Sequence, residues 1–204
     1  MSITLRNLGI RYSVLSVVGI GNLADMSLIK NGAGQNVAFA LINSLNDAAL
    51  TGLGSGVTVK VSKDGAAQTA GVGTITELGN GVYNYAPTQS ETNGNCVSFL
   101  LTATNAVPTN LVFLTGGLHK NVSGQHITSA MFSGTAVADT SATVTVFVSK
   151  DGGAQSTGGG TVTNLGNGQY DYAPTQAETN GTNVSFLFTA AGDVINNISI
   201  FTVP

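Results

Sequence analysis

Residues 144–180 read VTVFVSKDGGAQSTGGGTVTNLGNGQYDYAPTQAETN, and residues 57–93 read VTVKVSKDGAAQTAGVGTITELGNGVYNYAPTQSETN. The offset is constant: 151 − 64 and 172 − 85 both give 87. Between residues 57–103 and 144–190, 34 of 47 positions are identical with no gap. That period is too long for a solenoid repeat and suits a small whole domain. One β domain is written twice, behind a leader that lies outside the repeat.

Within each repeat the strand signals are local. Val57, Val59 and Val61 alternate with Thr58, Lys60 and Ser62, the period of a half-buried strand. Val146 and Val148 repeat the pattern. Asp64-Gly65 and Asp151-Gly152 follow, then Asn80-Gly81 and Asn167-Gly168. Such pairs mark two-residue hairpin turns, whose central positions need positive φ. Tyr83 and Tyr85 recur as Tyr170 and Tyr172, which places them inward, with hydroxyls at the rim. Val82 becomes Gln169 and Asn84 becomes Asp171, so the opposite face is expected to be wet. Phe99 and Phe186 belong to the next buried face. Thr88-x-x-Glu91 after Pro87 predicts a capped single helical turn.

Outward from the repeats, residues 1–34 form the leader. It is the most apolar part of the chain, with Ile3, Leu5, Leu8, Ile10, Tyr12, Val14, Leu15, Val17, Val18 and Ile20. Gly19 and Gly21 argue against a helix there. An extended arm is expected, lying either on its own first domain as an extra strand or on a neighbouring subunit. Residues 35–117 form the first sandwich and residues 126–204 the second, with Phe132 and Val137 as apolar markers before Val144. Residues 118–125, Gly-rich at their edges, read as a flexible linker. The short strands, regular turns and lack of helix predict an all-β fold: two tandem immunoglobulin-like antiparallel β-sandwiches behind an extended N-terminal arm.

Composition narrows the function. Charged residues are only 8% and the net charge is −3, with no basic patch, so nucleic-acid binding is not expected. No run reaches the ~18 apolar residues of a membrane span, and no cleaved signal peptide is expected. A sparsely charged surface favours side-by-side association, so a homo-oligomer is expected. The single cysteine, Cys96, faces Asn183 in the other repeat and reads as a surface or edge thiol. His119 and His126 flank the linker without Cys or carboxylate close in sequence, and read as solvated loop residues rather than metal ligands. No serine sits in a G-x-S-x-G elbow, and Gly158-Gly159-Gly160 lacks the Lys-Ser/Thr of a phosphate loop. Asp64 and Asp151 are explained by turns, Glu91 and Glu178 by the cap. Calcium on the Asp-Gly turns would need more clustered carboxylates. No catalytic residue, metal or cofactor is expected.

The segments VSKDGGAQ, NLGNGQYDYAPTQAET and VSFLF resemble the immunoglobulin-like repeat domains of tailed-bacteriophage structural proteins. The resemblance covers both repeats and not the leader. It implies a virion component without catalytic residues, partnered by a major capsid protein or by tail or neck proteins. A capsid-surface decoration or cement protein is the first expectation, and a part of the tail, neck or fibre the second. A bacterial adhesin would carry a signal peptide and a longer array. A carbohydrate-binding module would need exposed aromatics, for which Phe147, standing where the first repeat has Lys60, is the candidate.

Overall fold

The computed structural model describes residues 28–133 and 138–204. The arm residues from Ile3 to Ile20, and Val137, lie outside them. The described chain is all-β, with one short 3-10 turn at Gly54–Gly56. None of its helices is long and apolar enough to cross a membrane.

The first repeat contains β1 (Val37–Ala40), β2 (Thr58–Lys63), β3 (Thr69–Ala70), β4 (Thr74–Gly79), β5 (Val82–Ala86), β6 (Cys96–Thr102) and β7 (Thr109–Leu114). They form a three-stranded sheet, β1-β5-β4, and a four-stranded sheet, β3-β2-β6-β7. The second contains β8 (Leu118–His119), β9 (Ile127–Ala130), β10 (Thr145–Lys150), β11 (Ser156–Thr157), β12 (Thr161–Gly166), β13 (Gln169–Ala173), β14 (Asn183–Thr189) and β15 (Asn196–Val203). These give the sheets β12-β13-β9 and β11-β10-β14-β15-β8. All pairings are antiparallel except β8 with β15, where Leu118 faces Thr202 and His119 faces Val203 in parallel.

The registers follow from the turns. Asp64, Asn80, Asp151 and Asn167 have φ of 48°, 53°, 50° and 51°, each followed by a glycine at 70–76°. That left-handed pair matches the twist of the flanking strands. Bulges at Glu77/Gly79 and Asn164/Gly166 recur at the same place in β4 and β12.

Each pair of sheets encloses its own core. In the first, Val59, Val61, Tyr83, Tyr85 and Phe99 are buried together with Phe39, Val97 and Leu101. In the second, Val146, Val148, Tyr170, Tyr172 and Phe186 are buried with Val184 and Phe188. Tyr85 bridges the two sheets of its repeat, its ring edge-on to Phe99 at 5.4 Å. Tyr172 meets Phe186 at 5.9 Å and Phe188 at 6.3 Å. Such contacts contribute beyond the area they bury.

The linker and the leader boundary differ from the sequence expectation. Residues 118–125 are not a free tether: Leu118 belongs to the second core, β8 zips onto β15, and Gln125 pins the loop through bonds to the His119 amide and the His119 and Val122 carbonyls. The equivalent in the first repeat is Leu28, buried in the first core, with Gln35 making the same three bonds to Ile29 and Gly32. Leu28 thus falls in the leader by sequence and in the first core by packing. The capped turn is a single turn of helical bonding and is not continued. The Thr88 carbonyl accepts from the amides of Glu91 and Thr92, and the chain then leaves.

Candidate functional site

Two constellations gather the polar side chains. The first occurs twice and is built by the Thr-x-x-Glu turns. Glu91 folds back so that one carboxylate oxygen accepts from the Thr88 amide at 2.7 Å and the Thr88 hydroxyl at 2.9 Å. The other accepts from the Tyr85 hydroxyl at 2.7 Å and the Val72 amide at 2.8 Å. Glu178 makes the same set with Thr175, Tyr172 and Gly159. Burial pushes the Glu91 carboxyl up, but the donated hydrogen bonds outweigh it and hold the group below its usual value. Glu178 is held down by the same balance. Burial first, and the acceptor carboxylate second, raise Tyr85 and Tyr172 above the usual phenol range. A carboxylate with both oxygens occupied and a phenol that keeps its proton make a latch between strand and turn. Neither offers a free base.

The turn aspartates are used in the same way. Asp64 accepts from the amides of Asn95 and Cys96, both at 2.8 Å. Asp151 accepts from Thr182 and Asn183, again at 2.8 Å. The Asn183 amide, with that of Thr182, holds the Asp151 carboxyl below its usual value.

The second constellation is the joint between the repeats. On an ordinary half-exposed strand burial alternates, as it does in β14 and β1. In β6, β9 and β13 it does not: these strands are closed on both faces over nearly all their length. The outward face of β6–β7 is pressed against the outward face of β9–β13. Gln68 donates to Gln169 Oε1 at 2.8 Å and to the Gly166 carbonyl at 3.1 Å, and accepts from Asn167 at 2.6 Å. Gln169 donates to Asn110 at 2.7 Å. Cys96 Sγ lies 3.5 Å from Thr128 Oγ1. His126 Nδ1 pairs with Asp171 Oδ2 at 2.7 Å. A Cβ placed on Gly65 would lie 2.5 Å from both atoms of that pair, so the first hairpin turn rests directly on it. Beside the pair opens a cleft of about 410 Å³ lined by Asp64, Asn95, Cys96, Leu118, His119 and His126, among others.

Three expectations change here. Cys96 is not at the surface; it is 2% exposed, and burial pushes its thiol up to about 12. The face of Gln169 and Asp171 is not wet, since they are 0% and 2% exposed. It is wet only in the first repeat, where Val82 and Asn84 stand open or half-open. His126 is a carboxylate partner rather than a solvated loop residue, while His119 stays exposed, against the Pro204 carbonyl. Burial raises the Asp171 carboxyl, and the hydrogen bond from His126 only partly offsets this. Among the described residues no three His, Cys, Asp or Glu side chains gather as a metal-binding group. Phe147 is half-buried, and among the described residues the aromatic ring that stands out on the surface is Phe201.

Gln68, Asn110, Gln169 and the Asp171–His126 pair had no motif to mark them, and Asn167 was marked only as a turn residue. For Gln169 and Asp171 the signal was divergence, whereas Gln68, Asn110 and Asn167 match Gln155, Asn197 and Asn80 in the other repeat and gave none. Where the repeats differ amid identity, as at Cys96/Asn183, Val82/Gln169 and Asn84/Asp171, one member of each pair lies in the joint.

No family model and no curated protein matches the sequence. Among solved structures, the chain is similar to the endo-fucoidan hydrolase MfFcnA9 from glycoside hydrolase family 107, at a TM-score of 0.25 and 15% identity over 87% of this chain. The match spans 32% of that chain. A likeness at that score carries no argument about fold or activity.

Proposed function

We propose that this chain is a non-enzymatic structural protein of a bacteriophage virion, two immunoglobulin-like sandwiches in tandem that decorate or cement the capsid surface. The observation that carries the non-enzymatic part is the fate of the recurrent polar residues. Glu91 and Glu178 are consumed by the Tyr-Thr latches, and Asp64 and Asp151 by amides of the following strand. What remains is a sparsely charged surface, suited to lateral packing in an assembly. The virion setting rests on the resemblance of the repeats. Other virion proteins, the major capsid protein first, are the partners, and the apolar leader is the anchor. Strand addition to a neighbour's sheet edge would satisfy such a segment's backbone donors.

The test has two arms. Mass spectrometry and cryo-microscopy of purified particles should find the chain on the head. Density on the tail, neck or fibre would move it there, and its absence from particles would overturn the reading. Particles lacking the protein should bind the full chain and not residues 28–204. The cut falls before Leu28 because that side chain belongs to the first core. Equal binding by both would remove the anchoring role from the leader. Turnover of a glycan or peptide, abolished by one point substitution, would refute the non-enzymatic assignment.

A further inference from the structure

The joint between the repeats uses one face from each, and because each repeat carries both kinds of face, one of each is left over. In the first repeat the outward face of β6–β7 is covered: Cys96, Ser98 and Leu100 are buried, and Leu114 packs against the second core. Its counterpart on β14–β15 is open. Asn183, Ser185 and Leu187 are half-buried, Asn197 and Ser199 exposed. Phe201, which stands where Leu114 stands, is 76% exposed. The receiving face behaves in the mirror sense. On β12–β13 it is covered, with Leu165 only 8% exposed, whereas the matching Leu78 of β4 is 62% exposed and Val82 lies open beside it.

We propose that these two leftover faces bind each other between copies of this chain. The Phe201 face of one molecule seats on the Leu78–Val82 face of the next, in the arrangement the two repeats already hold within one chain. The occupant is argued from that internal joint, which these surfaces continue at either end. The free faces are better suited to it than a random surface. Phe147 replaces Lys60 on the donor side, so a charge is absent and a ring is present. On the receiving side Asn84 bonds Asn36 at 2.8 Å, where the covered face has Asp171 with His126. No carboxylate therefore has to be desolvated there. A head-to-tail contact of this kind does not close on itself, so it builds rows rather than dimers. Within the chain the short connection supplies an effective concentration of about millimolar, and between chains that help is missing. Association is correspondingly weak in free solution and becomes strong where copies are held side by side. None of this rests on the virion assignment.

The test is sedimentation of the full chain up to about millimolar concentration. The mean mass should climb with concentration without a plateau at the dimer. Phe201→Asp disables one face and Leu78→Asp the other. Each variant alone should stay monomeric, its association weakened by about thirtyfold or more, the scale of losing one interfacial anchor. Mixed in equal amounts, they retain one good face each and should form a dimer and nothing larger. Both side chains are exposed, so the melting temperatures should match the parent. If either falls, Phe201→Ser or Leu78→Ser takes its place. A full chain that stays monomeric at the highest concentration would overturn the proposal. So would an oligomer indifferent to both substitutions, or a mixture that fails to pair.

Discussion

Removing the carboxylate of Glu91 should uncouple the first repeat from its latch. Its oxygens accept four hydrogen bonds, from Val72, Tyr85 and twice from Thr88. Glu91→Ala leaves the Tyr85 hydroxyl without its acceptor inside the core and strips two backbone amides. A hydrogen bond to a charged group contributes ~1.5–3 kcal/mol, and a stranded buried donor costs ~1–3 kcal/mol. Counting the Tyr85 bond in full and the two Thr88 bonds at half, because that side can reach water, and letting the amide of the exposed Val72 turn to solvent, gives a loss of roughly 3–6 kcal/mol. Glu178 is less buried, so Glu178→Ala should cost the second repeat less, about 2–3 kcal/mol. The effect has a pH signature. The folded Glu91 carboxyl lies below its ordinary 4.5, so its stabilisation is complete above that value and is lost as pH falls through the folded pKa. Glu91→Gln keeps the shape and cannot titrate, and should flatten the acid limb for the first repeat. The assay is urea unfolding of the full chain from about pH 7 to about pH 3, followed by tyrosine near-ultraviolet circular dichroism, since the chain has no Trp. An Ala variant within ~0.5 kcal/mol of the parent, or a Gln variant with an unchanged acid limb, would refute the latch.

Tyr85→Ala should cost the first repeat ~3–5 kcal/mol and leave the second near its parent value, read as separated unfolding transitions; a single unchanged transition would contradict the core assignment. Gly65→Ala and Gly152→Ala both place a side chain at positive φ, costing about 1 kcal/mol each. Only the first drives a Cβ into Asp171 and His126, while Gly152 faces open space. Gly65→Ala should therefore destabilise more and raise protease cleavage between the repeats, and equal effects would contradict the contact. Cys96, with its thiol pushed up to about 12 inside the joint, should resist thiol reagents in the folded chain and react fully in denaturant; rapid native labelling would mean that the joint opens freely.

The parts of this fold legible in the sequence are those written in adjacent residues. The Val59–Val61 alternation and the Asp-Gly and Asn-Gly pairs state a strand and a turn locally, because side-chain period and φ preference act over two or three positions. The latch was half visible: Thr88 and Glu91 sit three apart, but that Glu91 also takes the Tyr85 hydroxyl depends on tertiary placement. The joint was invisible to such reasoning. Whether Gln169 is wet or dry depends on a partner 101 positions away, Gln68, and nothing in the local pattern differs from the exposed Val82. Leu28 and Leu118 were missed for another reason. The motif L-x-K-N-x-x-G-Q occurs at both, but 90 apart rather than 87, and the shorter loop before the second core hid it.

The parallel pairing of β8 with β15 has a mechanical meaning. The chain enters the second repeat at the start of β8 and leaves at the end of β15, and these strands run side by side in the same direction. Tension between the first repeat and the C-terminus pulls one strand backward along the other. Their hydrogen bonds are then loaded together in shear, whereas a hairpin opened from its end yields one bond at a time. Stretching the domain along the chain therefore has to break these few bonds together rather than in turn.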